Sequence, residues 1–558
     1  MLKNAGGTLP LSANGRDAGS IAVIGPSADT SPTYAGGGSA YVVPSATVSP
    51  LAGIKAATGA SVQYSQGLPA DTALPSIPSA DLSPAYAPTP FGGSYTGTLT
   101  APETGTYVLA VTNSCGCYTS TYLSVNGTQI IDDPSTPPVH TYSAAINLTA
   151  GQTYTISISG DSSQLLWGTP SALAPGIAAA AAAAKAAKTA VVVVSDDTES
   201  EATDRPSLNL PSAQDELIAA VAAANPHTVV VVNAGAPVAM PWLGRVASVL
   251  DTWYPGQSSG TALASVLFGR TDPGGHLPVT FPASLSQVPA ASTAQFPGNG
   301  SQVQYSEGID VGYRWYDAKN VTPMFPFGYG LSYTQFAFSD LRIGQRSVDG
   351  TGDVTATATI TNTGRVSGTD VAQLYLGDPA SSGEPPRQLA GFQRVTLAPG
   401  ASAKVSFTIT PQDMSWWGED GWTQTPGRYQ VFVGDSSELS SLPLRGTFGM
   451  TSTPAGRQVT VSTPATLDPG KAVTVTVTLG ASGTATLHDV RLRLQLPAGW
   501  TATPVGPATF GNVTPGSAPV ATFRVTPPAY APNASATIHA TATAGDWLRE
   551  AGVTVTVS

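Results

Sequence analysis

Charge is the first thing this sequence lacks. Asp, Glu, Lys and Arg make up 11% of its 558 residues, under half the roughly 25% of an ordinary soluble domain. The charge that remains leans acidic, with a net of −11. Nothing basic is clustered along the chain densely enough to displace counterions from phosphates, which argues against a nucleic-acid partner. No run approaches the ~18 apolar residues of a membrane span, so no membrane partner is expected. Cysteine is nearly absent. Cys115 and Cys117 alone exclude a disulfide framework and a four-cysteine zinc site, and their Cys-Gly-Cys spacing leaves open a small strained ring or a thiol pair. His140, His227, His276, His488 and His539 are dispersed, with no two at metal-ligand spacing. Neither metal nor cofactor is expected.

What is there is 41% hydrophobic residues, 59 glycines and 48 prolines. That is ample material for several cores, so wholesale disorder is excluded. Many turn-formers with few charges suggest β-rich domains, and the length suits about three or four of them. The first ten residues have no apolar stretch and no cleavage site, so they read as a linker rather than a signal peptide.

The periodicity changes along the chain. Ile21–Ile24, Thr189–Val194 and Thr228–Val232 are β-branched runs without polar alternation, the pattern of parallel strands covered on both faces. Between them, the Ala-rich stretch Ile177–Lys188 predicts a helix with Lys185 and Lys188 at its cation-favouring end. Pro211–Ala224 predicts another, acidic in its first turn. Together these predict an α/β sandwich. From 84 to 168 the period is two, in Thr106–Val111, Thr121–Val125 and Tyr154–Ile158, with Asn126-Gly127 as a hairpin turn. An all-β insert is therefore expected inside one sandwich loop, dividing the sandwich into 1–83 and 169–295. A linker is expected over 296–335. Two β-sandwiches of about 100 residues should follow, at 336–450 and 455–558. Strands are expected at Val354–Thr361, Val371–Leu376 and Tyr429–Val433 in the first, and at Val459–Val461, Val473–Thr478, Val490–Leu496 and Val553–Val557 in the second.

Because charges are scarce, their clustering is informative. Asp196, Asp197, Glu199, Glu201 and Asp204 crowd one short segment just after the 189–194 run. Loops at the carboxyl ends of parallel strands present ligand groups, and crowded carboxylates raise one another's pKa as a general acid requires. Spacing alone leaves catalysis, a solvated loop and a cation site open.

The segment Glu199–Leu217 resembles the acid/base loop of glycoside hydrolase family 3, the β-glucosidase family. In the same order come Ile24-Gly25-Pro26, Gly36-Gly37-Gly38-Ser39-Ala40, Trp253-Tyr254-Pro255-Gly256-Gln257 and Gly274–Pro282. Tyr305-Ser306-Glu307-Gly308, Val311-Gly312-Tyr313-Arg314 and Phe325–Tyr333 follow. Residues beyond them, with Pro386-Arg387-Gln388-Leu389, resemble the family's fibronectin type III-like domain. The insert resembles a protective-antigen-like β-barrel carried by some members, and the last hundred residues resemble an immunoglobulin-like module. The resemblance implies a retaining β-glycosidase acting on a β-linked glucoside or oligosaccharide, through two carboxyls about 5 Å apart. It makes Glu201 the general acid/base, with Ala202 where the family has Gly, and Glu199 the runner-up. Asp204 and Arg205 are expected to pair and fix the loop. His276 and Glu307 are expected to be structural. Trp416, Trp417 and Trp422 fit packing better than sugar stacking. The paired-Asp turn of related inserts is replaced by Asn113–Cys117. The family's nucleophile lies on an N-terminal (β/α)₈ barrel, and nothing in these 558 residues supplies eight βα units. The expectation is thus a truncated frame or a separate half, partnered by a barrel or inactive as a carbohydrate-binding scaffold. An extracellular location is expected from family and composition.

Overall fold

The computed structural model describes every residue except 15–18, 31, 87–92, 114–119, 134–140, 161–162, 202, 351, 419–420, 452–458, 481–485, 515, 531–533 and 545–546. Cys115, Cys117, His140 and Ala202 thus lie outside the described residues. Sheets, mostly antiparallel, dominate, with few helices. No helix among the described residues is long and apolar enough to cross a membrane. Two compact units emerge: Met1–Ser306 with Thr322–Gln335 and Val366–Thr369, and Glu307–Val321 with Phe336–Arg365 and Asp370–Ser558.

The first unit is built on a six-stranded sheet. Across it run Lys3–Asn4, Ser248–Asp251, Thr228–Asn233, Thr189–Ser195, Ser20–Ile24 and Ser61–Ser65. Lys3–Asn4 is antiparallel to its neighbour and the other pairings are parallel. Alternate residues of the central strands serve two cores. Ala22, Ile24, Val192, Val194, Val230 and Val232 pack under helices Pro170–Ala186 and Gln214–Ala224. Ile21, Val23, Val191, Val193, Val229 and Val231 pack under helices Pro50–Ala57 and Ser259–Leu267. Strands apolar on both faces need that double cover, which is why their sequence shows no alternation.

The helices start at places the periodicity did not mark. One begins at Pro170, seven residues ahead of the expected Ile177, because the Thr169 hydroxyl caps it by accepting from the Ala172 amide at 3.3 Å and proline suits the first helical position. The other begins at Gln214 rather than Pro211, since Ser212 takes a positive φ of 58° and turns the chain first.

The insert forms two antiparallel sheets. One holds Leu82–Ser83, Gly93–Thr100, Thr153–Gly160, Thr121–Val125 and Thr128–Asp133, and the other Ser163–Gly168, Gly105–Asn113 and Thr141–Leu148. Its sheet starts before residue 84, because Leu82 and Ser83 pair with Leu99 and Thr98. The Asn126-Gly127 hairpin is present, with φ of 50° and 80°, the signature of the tight turn that matches strand twist. Strand Gly105–Asn113 is buried on both faces. Tyr107, Leu109 and Val111 enter the insert's core, while Val108 and Ala110, with Leu166, enter the core of the six-stranded sheet. The insert is joined to the sandwich by a shared strand, not by a flexible neck.

The second unit contains two pairs of sheets, each pair around its own core. The first pair has one strand beyond the expected Tyr429–Val433. Strand Gly427–Gly434 continues by a hairpin into Leu444–Met450. The stretch expected to be a linker contains helix Tyr313–Lys319, which this unit holds tightly. Arg387 Nε donates to Asp317 Oδ2 at 3.0 Å, and the Arg387 guanidinium lies 5.4 Å from the centre of the Phe432 ring. The Leu389 amide donates to the Tyr313 hydroxyl at 2.8 Å. Two family-like motifs, around Tyr313 and Arg387, thus meet as one packing device.

Candidate active site

The order of the parallel strands locates the site. Ser20–Ile24 leads to Ser61–Ser65 on one side, and the chain later returns to place Thr189–Ser195 on the other. The switch in direction opens a crevice at the carboxyl ends of Ser20–Ile24 and Thr189–Ser195, where open α/β sheets bind ligands. Two loops meet there. Gly37 forms a parallel bridge with Ser200, and its amide donates to the Glu199 carbonyl at 2.9 Å.

The acidic loop leaves the strand under tight control. The Ser195 amide donates to Gln214 Oε1 at 2.9 Å, and Gln214 Nε2 donates to the Ser195 carbonyl at 2.7 Å. Asp196 is buried, and Arg205 Nη2 stands 2.9 Å from its Oδ2. Arg205 Nη1 lies 3.2 Å from Glu199 Oε1 and donates to the Pro237 carbonyl at 2.8 Å. The expected Asp204–Arg205 pair is therefore not what fixes the loop. A carboxylate buried at the strand's end needs the counter-charge more than exposed Asp204 does.

Glu199 is locked. Its Oε2 accepts from the Tyr254 hydroxyl and the Gly235 amide, and Tyr254 also donates to the Asp196 carbonyl at 2.8 Å. A Cβ at Gly235 would lie 2.5 Å from that carboxylate oxygen, so only glycine lets the amide approach. Trp253, just before Tyr254, sits at φ 51°, a conformation that costs a bulky residue of order 1–3 kcal/mol. Burial, then the neighbouring Asp196 carboxylate, pushes the Glu199 pKa up.

Glu201 is arranged in the opposite way. It is exposed, and its Oε2 accepts from the Ser39 amide at 2.8 Å and from the Ser39 hydroxyl. These bonds favour the charged form and lower its pKa. Gly38 makes the approach possible: its φ is 80°, and a Cβ there would lie 2.6 Å from the Glu201 Cβ. Crowding thus raises the pKa of Glu199 but not of Glu201, which remains ionised.

Both loops line a cleft of about 600 Å³ with Asp204 and five residues of the insert, Ile130, Ile131, Asp132, Tyr142 and Ser143. Asp132 Oδ1 is buried without a hydrogen-bond partner, and burial raises its pKa. The sequence carried no signal for these insert residues, whereas Ser39 and Tyr254 stood inside quoted motifs. Beneath the loop, burial and then Asp71 push Asp197 up to about 7. Asp71 Oδ2 accepts from the Ser143 hydroxyl of the insert at 2.5 Å. Among the described residues, no three His, Cys, Asp or Glu side chains gather as a metal site.

The remaining candidates lie elsewhere. His276 Nδ1 meets the Gly328 carbonyl at 2.5 Å, joining segments 52 residues apart. Glu307 belongs to the second unit. There Trp417 faces Trp422 across a hairpin, with ring centres 5.5 Å apart, and Trp417 is 61% exposed. Trp416 Nε1 donates to Thr425 Oγ1 at 2.9 Å.

Segments of this chain match known families and known proteins. Residues 1–333 match the glycosyl hydrolase family 3 C-terminal domain, so the chain belongs to glycoside hydrolase family 3. Residues 370–437 match a fibronectin type III-like domain, and 467–545 match the NPCBM-associated, NEW3 domain of alpha-galactosidase. A beta-glucosidase of Rhizobium radiobacter is 33% identical over 500 residues, covering 78% of this chain and 60% of that one. Thermostable beta-glucosidase B of Acetivibrio thermocellus is 40% identical over 245 residues, 43% of this chain and 32% of that one. Among solved structures, a beta-glucosidase from Streptomyces venezuelae in complex with D-glucose is 38% identical at a TM-score of 0.68, covering 80% of this chain and 58% of that one. The chain spans about three fifths or less of the length of these relatives.

Proposed function

We propose that this chain is the acid/base-bearing portion of a retaining β-glycosidase, with Glu201 as the group that protonates the leaving oxygen and then deprotonates water. The observation that carries the reading is the position of Glu201: an exposed carboxyl at the strand-order switch point, aimed by Ser39, on the cleft of a family 3 domain. The nucleophile is then supplied by a barrel outside these 558 residues. Exposed Val42 and Val43 (74% and 77%), a few residues beyond Ser39, support a covering body on this side. Covering Glu201 would raise its lowered pKa toward that of a working acid, because desolvation disfavours the carboxylate. The substrate is a β-linked glucoside, and the enzyme works outside the cell. The insert is a protective-antigen-like domain lying over the leaving-group side of the cleft, to which it lends Ile130–Asp132 and Tyr142.

The test is reconstitution with a family 3 barrel, fused upstream or supplied in trans. Aryl β-glucoside hydrolysis should appear. Glu201→Gln should spare the first step for activated leaving groups and slow the others, and azide should rescue Glu201→Gly. If Glu199→Gln shows these effects and Glu201→Gln does not, the acid/base is Glu199. If the barrel restores sugar binding but no turnover, the chain is a carbohydrate-binding scaffold.

A further inference from the structure

The second unit carries a groove of about 720 Å³ lined by Arg342, Arg346, Arg428 and Arg445. The chain has only 24 basic residues and a net charge of −11, so four arginines on one concavity are a local inversion of its charge. Linear spacing hides the cluster. The fold assembles it from strand Phe336–Ile343, from the Arg346 segment whose carbonyl accepts the Gly449 amide at 2.9 Å, and from paired strands Gly427–Gly434 and Leu444–Met450. In that ladder Arg428 opposes Gly449 and Arg445 opposes Phe432, so both arginines project from one face. All four are exposed. The lining contains no carboxylate, and the salt bridges among the described residues involve none of the four.

The spacing selects the ligand. Arg445 stands four residues from Gly449 along its strand, about 13 Å at the usual rise, so the guanidinium groups form a row rather than a cradle for one small anion. A guanidinium presents a planar fork that fits a carboxylate or sulfate through two hydrogen bonds. Arg445 is held in place by donating from Nη2 to the Leu439 carbonyl at 3.2 Å, and adds its charge and remaining N–H groups to the row. Half-buried Leu341 and Ile343 add an apolar strip to the lining, suited to the C–H faces of sugar rings. The one aromatic ring in the lining, Phe448, is buried, so the groove offers no platform on which nucleic-acid bases could stack. We infer that this groove binds an anionic polysaccharide, a glycan chain with charged groups repeating along its length.

The full chain is tested for retardation in gels containing polygalacturonate, dextran sulfate, unmodified dextran or single-stranded DNA, and the affinities are measured by titration at two ionic strengths. Both anionic glycans, or either one, should bind, and unmodified dextran should not. Polygalacturonate alone assigns the charge to uronates, dextran sulfate alone to sulfate esters. Binding should weaken steeply between about 0.05 and 0.5 M salt as screening sets in. Arg428→Gln/Arg445→Gln and Arg342→Gln/Arg346→Gln alter separate strands, so a folding failure in one leaves the other informative. Each should weaken binding about tenfold. Absence of glycan binding, DNA binding as strong as glycan binding, or unchanged affinity in a folded double variant overturns the proposal.

Discussion

Glu199 and Glu201 stand two residues apart on one loop and inhabit different chemical worlds. Around Glu199 the protein supplies a guanidinium, a phenol and a backbone amide, closing the carboxylate in. Around Glu201, among the described residues, it supplies Ser39 alone and leaves the rest of the group open to solvent. A buried carboxylate held on several sides holds the loop's shape, whereas one held on a single side and open on the other is free to exchange protons with a ligand. Sequence proximity says nothing of this division. The order of the strands and the glycine at 38 decide it.

The comparison can be broken most forcefully at Arg205. Arg205→Met leaves Asp196 and Glu199 buried without their cation, and unfolding of the full chain in denaturant should reveal a loss of about 3–5 kcal/mol. Tyr254→Phe removes the single hydroxyl proton shared between Glu199 and the Asp196 carbonyl. The expected cost is about 1–2 kcal/mol, with Glu201 still in place. Gly38→Ala attacks the other half of the loop, forcing an alanine into positive φ against the Glu201 Cβ. It should cost about 1 kcal/mol and raise the Glu201 pKa, as seen in its carboxyl NMR titration, because the Ser39 donors are displaced.

The pH dependence is a second large effect. Asp197 titrates near 7 in the folded chain, well above its ordinary 3.8. Between those values the folded state binds the extra proton, so the linkage slope is negative and stability falls as pH rises from about 4 to about 7. Asp197→Asn should flatten that part of the stability–pH curve and raise stability above pH 7. An unchanged curve would mean that Asp197 ionises freely in the fold. Smallest of all, Glu201→Gln should leave the melting temperature where it is. A clear drop would show that Glu201 supports the loop as Glu199 does.

Much of the first unit was legible because its strands obey one strong rule. A run such as Ala190–Val194 with no polar residue has to be buried on both faces, and it is. The acidic loop was placed at the carboxyl end of that strand by the same logic. What could not be read was pairing across the fold. Arg205 chooses Asp196 and Glu199 over its neighbour Asp204 because burial, not adjacency, sets the demand for charge. Ile130–Asp132 and Tyr142 reach the cleft only because the insert packs onto the sheet, and nothing local in their sequence announces it. The same holds for four arginines scattered between 342 and 445.

The strand shared by two cores also bears on how the chain reaches its fold. Strands Ser20–Ile24 and Thr189–Ser195 are partners, yet the whole insert is synthesised between them. Inside the fold the insert's ends are stitched to the crossover, with the Trp167 amide donating to the Pro75 carbonyl at 2.9 Å and the Ile77 amide to the Leu165 carbonyl at 3.2 Å. If the insert folds first, the connection that must close shrinks from roughly 160 residues to about 80, which lowers the entropic cost of closure by about 0.6 kcal/mol. The insertion then works as a clasp that brings two distant strands within reach, and the central sheet depends on it for speed of assembly as well as for burial.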